Sequence, residues 1–166
     1  QFAQMASIAI ERAELIDKLR VRNRFFDLSL EMFVVFNPLT MRWTQVNPVF
    51  AQLLGYSAEE LCTREFFEFM HPDDHAATHD RARRLAANLP VPRMFENRYL
   101  CRDGTVRWLE WMSERGDDGL VYGVGRDISL RRQAEIALRQ TMIDLDARNR
   151  ELQDFAFVAS HDLQEP

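Results

Sequence analysis

The feature that most restricts the fold is the dipeptide Asp103-Gly104, set between two strand-like runs, Met94 to Arg102 and Thr105 to Ser113. Asp-Gly between strands signals a hairpin, because a primed two-residue turn needs positive φ and glycine adopts it without a Cβ clash. A hairpin commits the chain to antiparallel pairing. A second turn, Gly116-Asp117-Asp118-Gly119, leads into a further run from Leu120 to Asp127. Nearer the start, the apolar run Met32-Phe33-Val34-Val35-Phe36 ends at Asn37-Pro38, and Arg42-Trp43-Thr44-Gln45-Val46 resumes it, so these two read as another hairpin.

Between the two strand groups the pattern is helical. Pro48 to Leu54 closes on Gly55 as a left-handed cap, and Ser57 with Glu60 forms a capping box for the next segment. A longer helix is predicted from near Pro72-Asp73-Asp74, where acidic residues favour a helix N-terminus, to about Leu89, ahead of Pro90 and Pro92. Two strands, a helical middle and three strands predict an α+β fold: a five-stranded antiparallel sheet with helices over one face.

Both flanks read as long helices that want partners. The first, residues 1–24, lacks Gly and Pro and carries Met5, Ile8, Leu15 and Leu19 at heptad-compatible steps, with Phe26 just beyond. At the other end Leu138, Leu145, Leu152 and Ala159 recur every seven residues, with Ala134, Thr141, Arg148 and Phe155 at the partner position. A strict heptad would next bury Asp162; stepping from Phe155 to Ala159 to Leu163 keeps the seam apolar, which reads as a stutter. His161 lies two residues from both Ala159 and Leu163, about 200° around the helix from each, and so faces away from the seam. Pro166 removes an amide and is expected to weaken or kink the helix one turn later.

Composition excludes several classes. The 166 residues are 46% hydrophobic and 28% charged, with twelve Phe and three Trp, enough apolar mass for one sizeable core. The formal charge of -5 is spread over mixed-sign clusters, with Arg81, Arg83 and Arg84 on one stretch, so no basic stripe offers itself to nucleic acid. Cys62 and Cys101 make neither metal-ligand spacing nor a disulfide framework, as in a reducing cytoplasm, and no run matches a membrane span or signal peptide. Gly123-Val124-Gly125 is too short for a phosphate-cradling loop and ends a strand. A chain that starts at Gln1 and stops within a helical pattern is expected to be part of a longer protein.

The string from Phe155 through Val158-Ala159-Ser160-His161-Asp162-Leu163-Gln164-Glu165-Pro166 resembles the H-box of sensor histidine kinases. That resemblance implies a phosphoacceptor, His161, on the first helix of a dimeric four-helix bundle, with Asp162 orienting the ring or accepting its proton. Neutral imidazole suits the role, since one nitrogen can attack phosphorus while the other is hydrogen-bonded. ATP would be used by a domain outside this chain, and the phosphate passed to an aspartate of a response regulator receiver domain.

A broader resemblance covers about one hundred residues. Asn47, Phe50, Leu54-Gly55-Tyr56-Ser57, Glu59-Glu60-Leu61, His71-Pro72-Asp73-Asp74, Arg102-Asp103-Gly104, Trp108, Gly123 to Arg126 and Asp127-Ile128-Ser129 are similar to a PAS domain. The implied organisation is a linker helix over 1–24, a PAS domain over 25–128, a coiled-coil signalling helix over 129–150 and the start of the H-box helix over 151–166. The Ala-rich start of the first helix resembles the exit helix of an upstream GAF domain; an ordinary amphipathic connector is the other reading. Asp127 and Ser129 stand where the family couples its last strand to the outgoing helix, and Ser129 can cap that helix. Such domains dimerise through flanking helices, and in-register seams imply a parallel homodimer. The sequence requires no cofactor. A flavin adduct is not expected, because Glu65-Phe66-Phe67 stands where a photosensor carries its cysteine and Cys62 is out of register. His79 falls seven residues after Pro72, near the axial ligand of haem-binding members, although a solvated helix histidine explains it too. Two functions compete: a sensory and relay segment of a histidine kinase, or a ligand-binding or dimerisation module in which His161 does no chemistry.

Overall fold

The computed structural model describes the backbone of residues 2–162, and side chains for residues 12–156 apart from Ala13, Leu19 and Arg22. The chain divides into two units, one running to Asp127 and one starting at Ile128. In the first, helix α1 (Phe2–Leu28) precedes strands β1 (Met32–Asn37) and β2 (Arg42–Val46). Helices α2 (Pro48–Leu54) and α3 (Ala58–Thr63), 3-10 turns at Phe66–Phe69 and Pro72–Asp74, and helix α4 (His75–Ala86) follow. Strands β3 (Met94–Leu100), β4 (Val106–Arg115) and β5 (Val121–Asp127) complete an antiparallel sheet of order β2-β1-β5-β4-β3. The α+β reading is borne out.

Alternation along the strands sorts the two faces. Val34, Asn97, Tyr99, Leu109, Trp111 and Val121 are buried under the helical layer, while their neighbours Arg98, Glu110 and Tyr122 are more exposed. Trp43 packs within 6.2 Å of the rings of Phe50, Phe66, Phe69 and Tyr99, and Phe50 in turn meets Trp111 edge-on at 5.5 Å. Gly125 is what lets Trp111 lie flat on the sheet: a Cβ there would stand 2.5 Å from the indole.

Several boundaries differ from expectation for visible reasons. The 103–104 turn is not a primed two-residue turn. Only Gly104 has positive φ, 83°, and Cys101 N–H donates to Thr105 O at 2.8 Å around a three-residue loop. Asp103 Oδ1 accepts from Thr105 N and Oγ1, at 2.9 and 2.7 Å, and holds Asp103 in place. The helix expected from Pro72 to Leu89 is shorter at both ends. Pro72–Asp74 forms a separate turn capped by His71 Nδ1, and α4 stops at Ala86. Asn88 takes φ 54°, with Asn88 N donating to Leu85 O and Leu89 N to Arg84 O, a Schellman closure built on asparagine. Helix α1 runs past the expected limit of residue 24, to Leu28. The Gly55 cap, at φ 78°, and the Ser57–Glu60 capping box are as read.

The second unit is one helix, α5 (Ser129–Asp162), of 34 residues. The backbones of His161 and Asp162 belong to it; their side chains, the step to Leu163, and the kink expected at Pro166 lie outside the described residues. Among the described residues no helix is long and apolar enough to cross a membrane.

Asn47 joins three elements of the first unit. It is fully buried, its Oδ1 accepting from Phe33 N at 3.0 Å and Phe50 N at 3.3 Å, its Nδ2 donating to Phe26 O at 3.2 Å and Glu31 O at 2.9 Å. Asn47→Ala strands these four backbone groups and is expected to lower stability by about 2–4 kcal/mol in urea denaturation. A loss under about 0.5 kcal/mol would show that water replaces the amide.

Candidate functional site

Between sheet and helical layer lies a cavity of about 50 Å³. Its walls are mostly apolar: Val34, Phe36, Trp43, Phe66, Leu85 and Phe95 contribute. One end is polar. Helix α4 presents Thr78, Arg81, Ala82 and Leu85 to the cavity, spaced as one face of a helix, and strands β3 and β4 present Asn97 and Ser113. Asn97 is saturated: Oδ1 accepts from Trp111 Nε1 at 3.0 Å, while Nδ2 donates to Thr78 Oγ1 at 3.3 Å and approaches Met70 Sδ at 3.8 Å. Arg81 Nη1 donates to Pro92 O at 2.7 Å and Nη2 to Ser113 Oγ at 3.0 Å, and the guanidinium lies 5.2 Å from the centre of the Phe95 ring. Burial draws the Arg81 pKa below that of an ordinary arginine, and burial pushes the Tyr99 phenol up.

His79 stands elsewhere. It is exposed on the other side of α4, packs against Phe67 at 5.9 Å between ring centroids, and borders a surface groove with His75 and Arg83. A haem held by His79 does not fit the interior cavity, because the residue does not line it and the volume is too small for a macrocycle. His75 is turned inward enough for Nε2 to meet Met70 O at 3.1 Å. Cys62 is half-buried on α3 outside the cavity, and burial raises its thiol pKa, so it stays protonated. Cys101 Sγ donates to Leu53 O at 3.5 Å.

The strand-to-helix junction falls where one unit ends and the next begins. Asp127 ends β5, and its carboxylate meets Arg107 Nη1 at 3.5 Å. Ser129, expected to cap the outgoing helix, is its first residue; Arg132 N donates to Ile128 O at 2.9 Å, so Ile128 holds the cap position. Sequence reasoning missed Arg81 as a site residue. It was legible in the spacing Thr78, Arg81, Ala82, Leu85, which puts a cation on the buried face of α4.

Away from the cavity lining, Asp74 fixes the start of α4 to β3. Arg98 donates to it from N at 2.7 Å, Nε at 3.0 Å and Nη2 at 2.7 Å. These bonds hold the Asp74 carboxyl below its ordinary pKa.

Because the Asp74 pKa is depressed, chiefly by the Arg98 hydrogen bonds, its contribution to stability is present above the unfolded-state value and lost as pH falls through the folded one. The stability advantage of the native chain over Asp74→Asn is therefore expected to be full above about pH 5 and to shrink steadily below about pH 4. Denaturation midpoints measured from about pH 2 to 7 check this, and a difference that does not vary with pH would contradict it.

Known proteins share this architecture. Residues 44–119 match the family model described as the PAS fold. The methyl sulfide methyltransferase-associated sensor of Methanosarcina acetivorans is 31% identical over 171 residues, covering 93% of this chain and 17% of that protein. The chain thus spans 17% of the length of the curated relative it matches. The PAS domain of an HTR-like protein from Haloarcula marismortui is 25% identical, with a TM-score of 0.57 over 68% of this chain and 98% of that one. A sensory box histidine kinase/response regulator from Burkholderia thailandensis has the same fold at 24% identity, with a TM-score of 0.57 over 77% of this chain and 98% of that one.

Proposed function

We propose, from the premise that this chain carries a PAS sensor domain of a signalling protein, that it is the sensory and relay portion of a two-component histidine kinase. The observation that carries this reading is the single helix α5, which follows β5 after one residue and runs 34 residues, about 50 Å, to the turn holding His161. Leu138, Leu145 and Leu152 along it are 63%, 65% and 66% exposed. An isolated helix with such a stripe gains little from burial, so a second helix is the natural cover. A parallel homodimer brings the identical seams together in register.

The relay then needs no diffusing messenger. A shift of the sheet moves the Asp127-Ile128-Ser129 junction, and the continuous helix carries the rotation or sliding to His161. There a neutral imidazole nitrogen attacks the γ-phosphorus of ATP brought by an ATP-binding domain, ADP leaves, and the phosphoryl group passes to an aspartate of a receiver domain. Asp162 is the neighbour that orients the ring or takes its proton.

In the full-length protein supplied with labelled ATP, His161→Gln is expected to remove acid-labile phosphate from the chain completely. Equal label in that variant would mean that His161 does no chemistry and would leave a ligand-binding or dimerisation module. Separately, replacing Leu145 and Leu152 together by Glu is expected to convert a dimer to a monomer in sedimentation equilibrium while the circular dichroism of the sheet persists. An unchanged mass would show that the seam is not the dimer contact.

A further inference from the structure

We infer that the interior cavity binds a short-chain monocarboxylate, with Arg81 taking the carboxylate and the aromatic wall taking the alkyl end. Arg81 is only 7% exposed, yet its two bonded partners, Pro92 O and Ser113 Oγ, are both neutral. Among the described residues no carboxylate lies within ion-pair distance of it. Arginine is seldom buried without a counter-charge, since desolvating the guanidinium is costly and a paired anion offsets it more fully than the two neutral acceptors and the Phe95 ring do here.

The remaining polar groups at that end have the complementary shortage. Asn97 has committed both its oxygen and its amide. Thr78 Oγ1 accepts from Asn97 and Ser113 Oγ accepts from Arg81, while neither hydroxyl donates to a described residue. What remains unused is a set of donors: two O–H groups and the guanidinium N–H groups not engaged by Pro92 and Ser113. A donor-rich end around a buried cation is the chemistry of an anion site, and the planar guanidinium matches a carboxylate in bidentate fashion.

Size and polarity narrow the anion. The cavity of about 50 Å³ exceeds the ~10–15 Å³ needed for one water, and falls well below the ~300–1,000 Å³ typical of drug-sized ligands. Away from Arg81 the walls include Trp43, Phe66, Leu85 and Val34, which offer an alkyl group dispersion contacts, and no second cation among the described residues lines the cavity. Acetate and propionate fit that description.

The inference rests on the domain being a sensor, but it is read without phosphoryl transfer. The experiment is isothermal titration of the 166-residue chain with sodium propionate, beside propionamide, sodium chloride and sodium dodecanoate at matched ionic strength. Saturable binding of propionate is expected, with none for propionamide or chloride at the same concentration. Arg81→Gln should abolish it and Arg81→Lys weaken it about tenfold or more. Ala82→Leu, which fills the cavity and leaves Arg81 in place, should also abolish it; a circular dichroism spectrum like the native one shows that each variant is folded. Absence of saturable propionate binding, an equal response to chloride or propionamide, a preference for dodecanoate, or undiminished binding by folded Arg81→Gln would each overturn the assignment. Propionate binding with no phosphate on His161 in the full-length protein would keep this inference and overturn the kinase reading, and the reverse pair of results would do the opposite.

Discussion

The fold depends on one amide side chain. Asn47 sits where α1, β1 and α2 converge, and each of its side-chain polar atoms serves two partners, so that three backbone segments are bonded to a single buried residue. Its own N–H donates to Phe33 O at 3.0 Å, which fixes the start of β1 a second time. Burying an amide is favourable only when all its hydrogen bonds are made, and here they are. The consequence reaches beyond the bonds themselves. Once the start of α2 is anchored to the sheet, Phe50 is carried under Trp43, Tyr99 and Trp111, and the aromatic core can close around it.

That core does not close completely. Trp43, Phe66 and Trp111 form the walls of a cavity whose polar end is formed by α4, and the arrangement depends on close fits on two opposite sides. On the sheet side, Gly123 and Gly125 of β5 leave room for the side chains of Val34 and Trp111. On the helical side, the bidentate contact of Arg98 with Asp74 sets where α4 begins, and the asparagine closure at Asn88 sets where it ends. Between them Arg81 is held at the polar end of a mostly apolar space.

Much of this was legible in the sequence, and the gaps have physical causes. The strands, the Gly55 and Ser57 caps and the five-stranded sheet follow from short-range signals, in which the residue that sets the geometry is also the residue that shows it. The dipeptide Asp103-Gly104 marks the place of the turn but not its type, because it reports a need for positive φ at Gly104 and says nothing of Thr105 donating back to Asp103. The cap that Asn47 gives to α2 is local, through Phe50 N three residues on, but its ties to α1 and β1 are not, since Phe26, Glu31 and Phe33 lie 21, 16 and 14 residues away. In the sequence Arg81 is one of three neighbouring arginines in a charged stretch. Only its phase on α4 separates it from exposed Arg83 and Arg84, and charge alone carries no phase.

The pairing of β1 with β5 has a consequence for how such a domain is used. Met32, at the start of β1, lies opposite Gly125, near the end of β5, so the polypeptide enters and leaves the sheet at the same end. A module whose two ends are neighbours can be spliced into a helical rod without forcing the pieces on either side far apart, and closing its loop adds little to the entropy of the host.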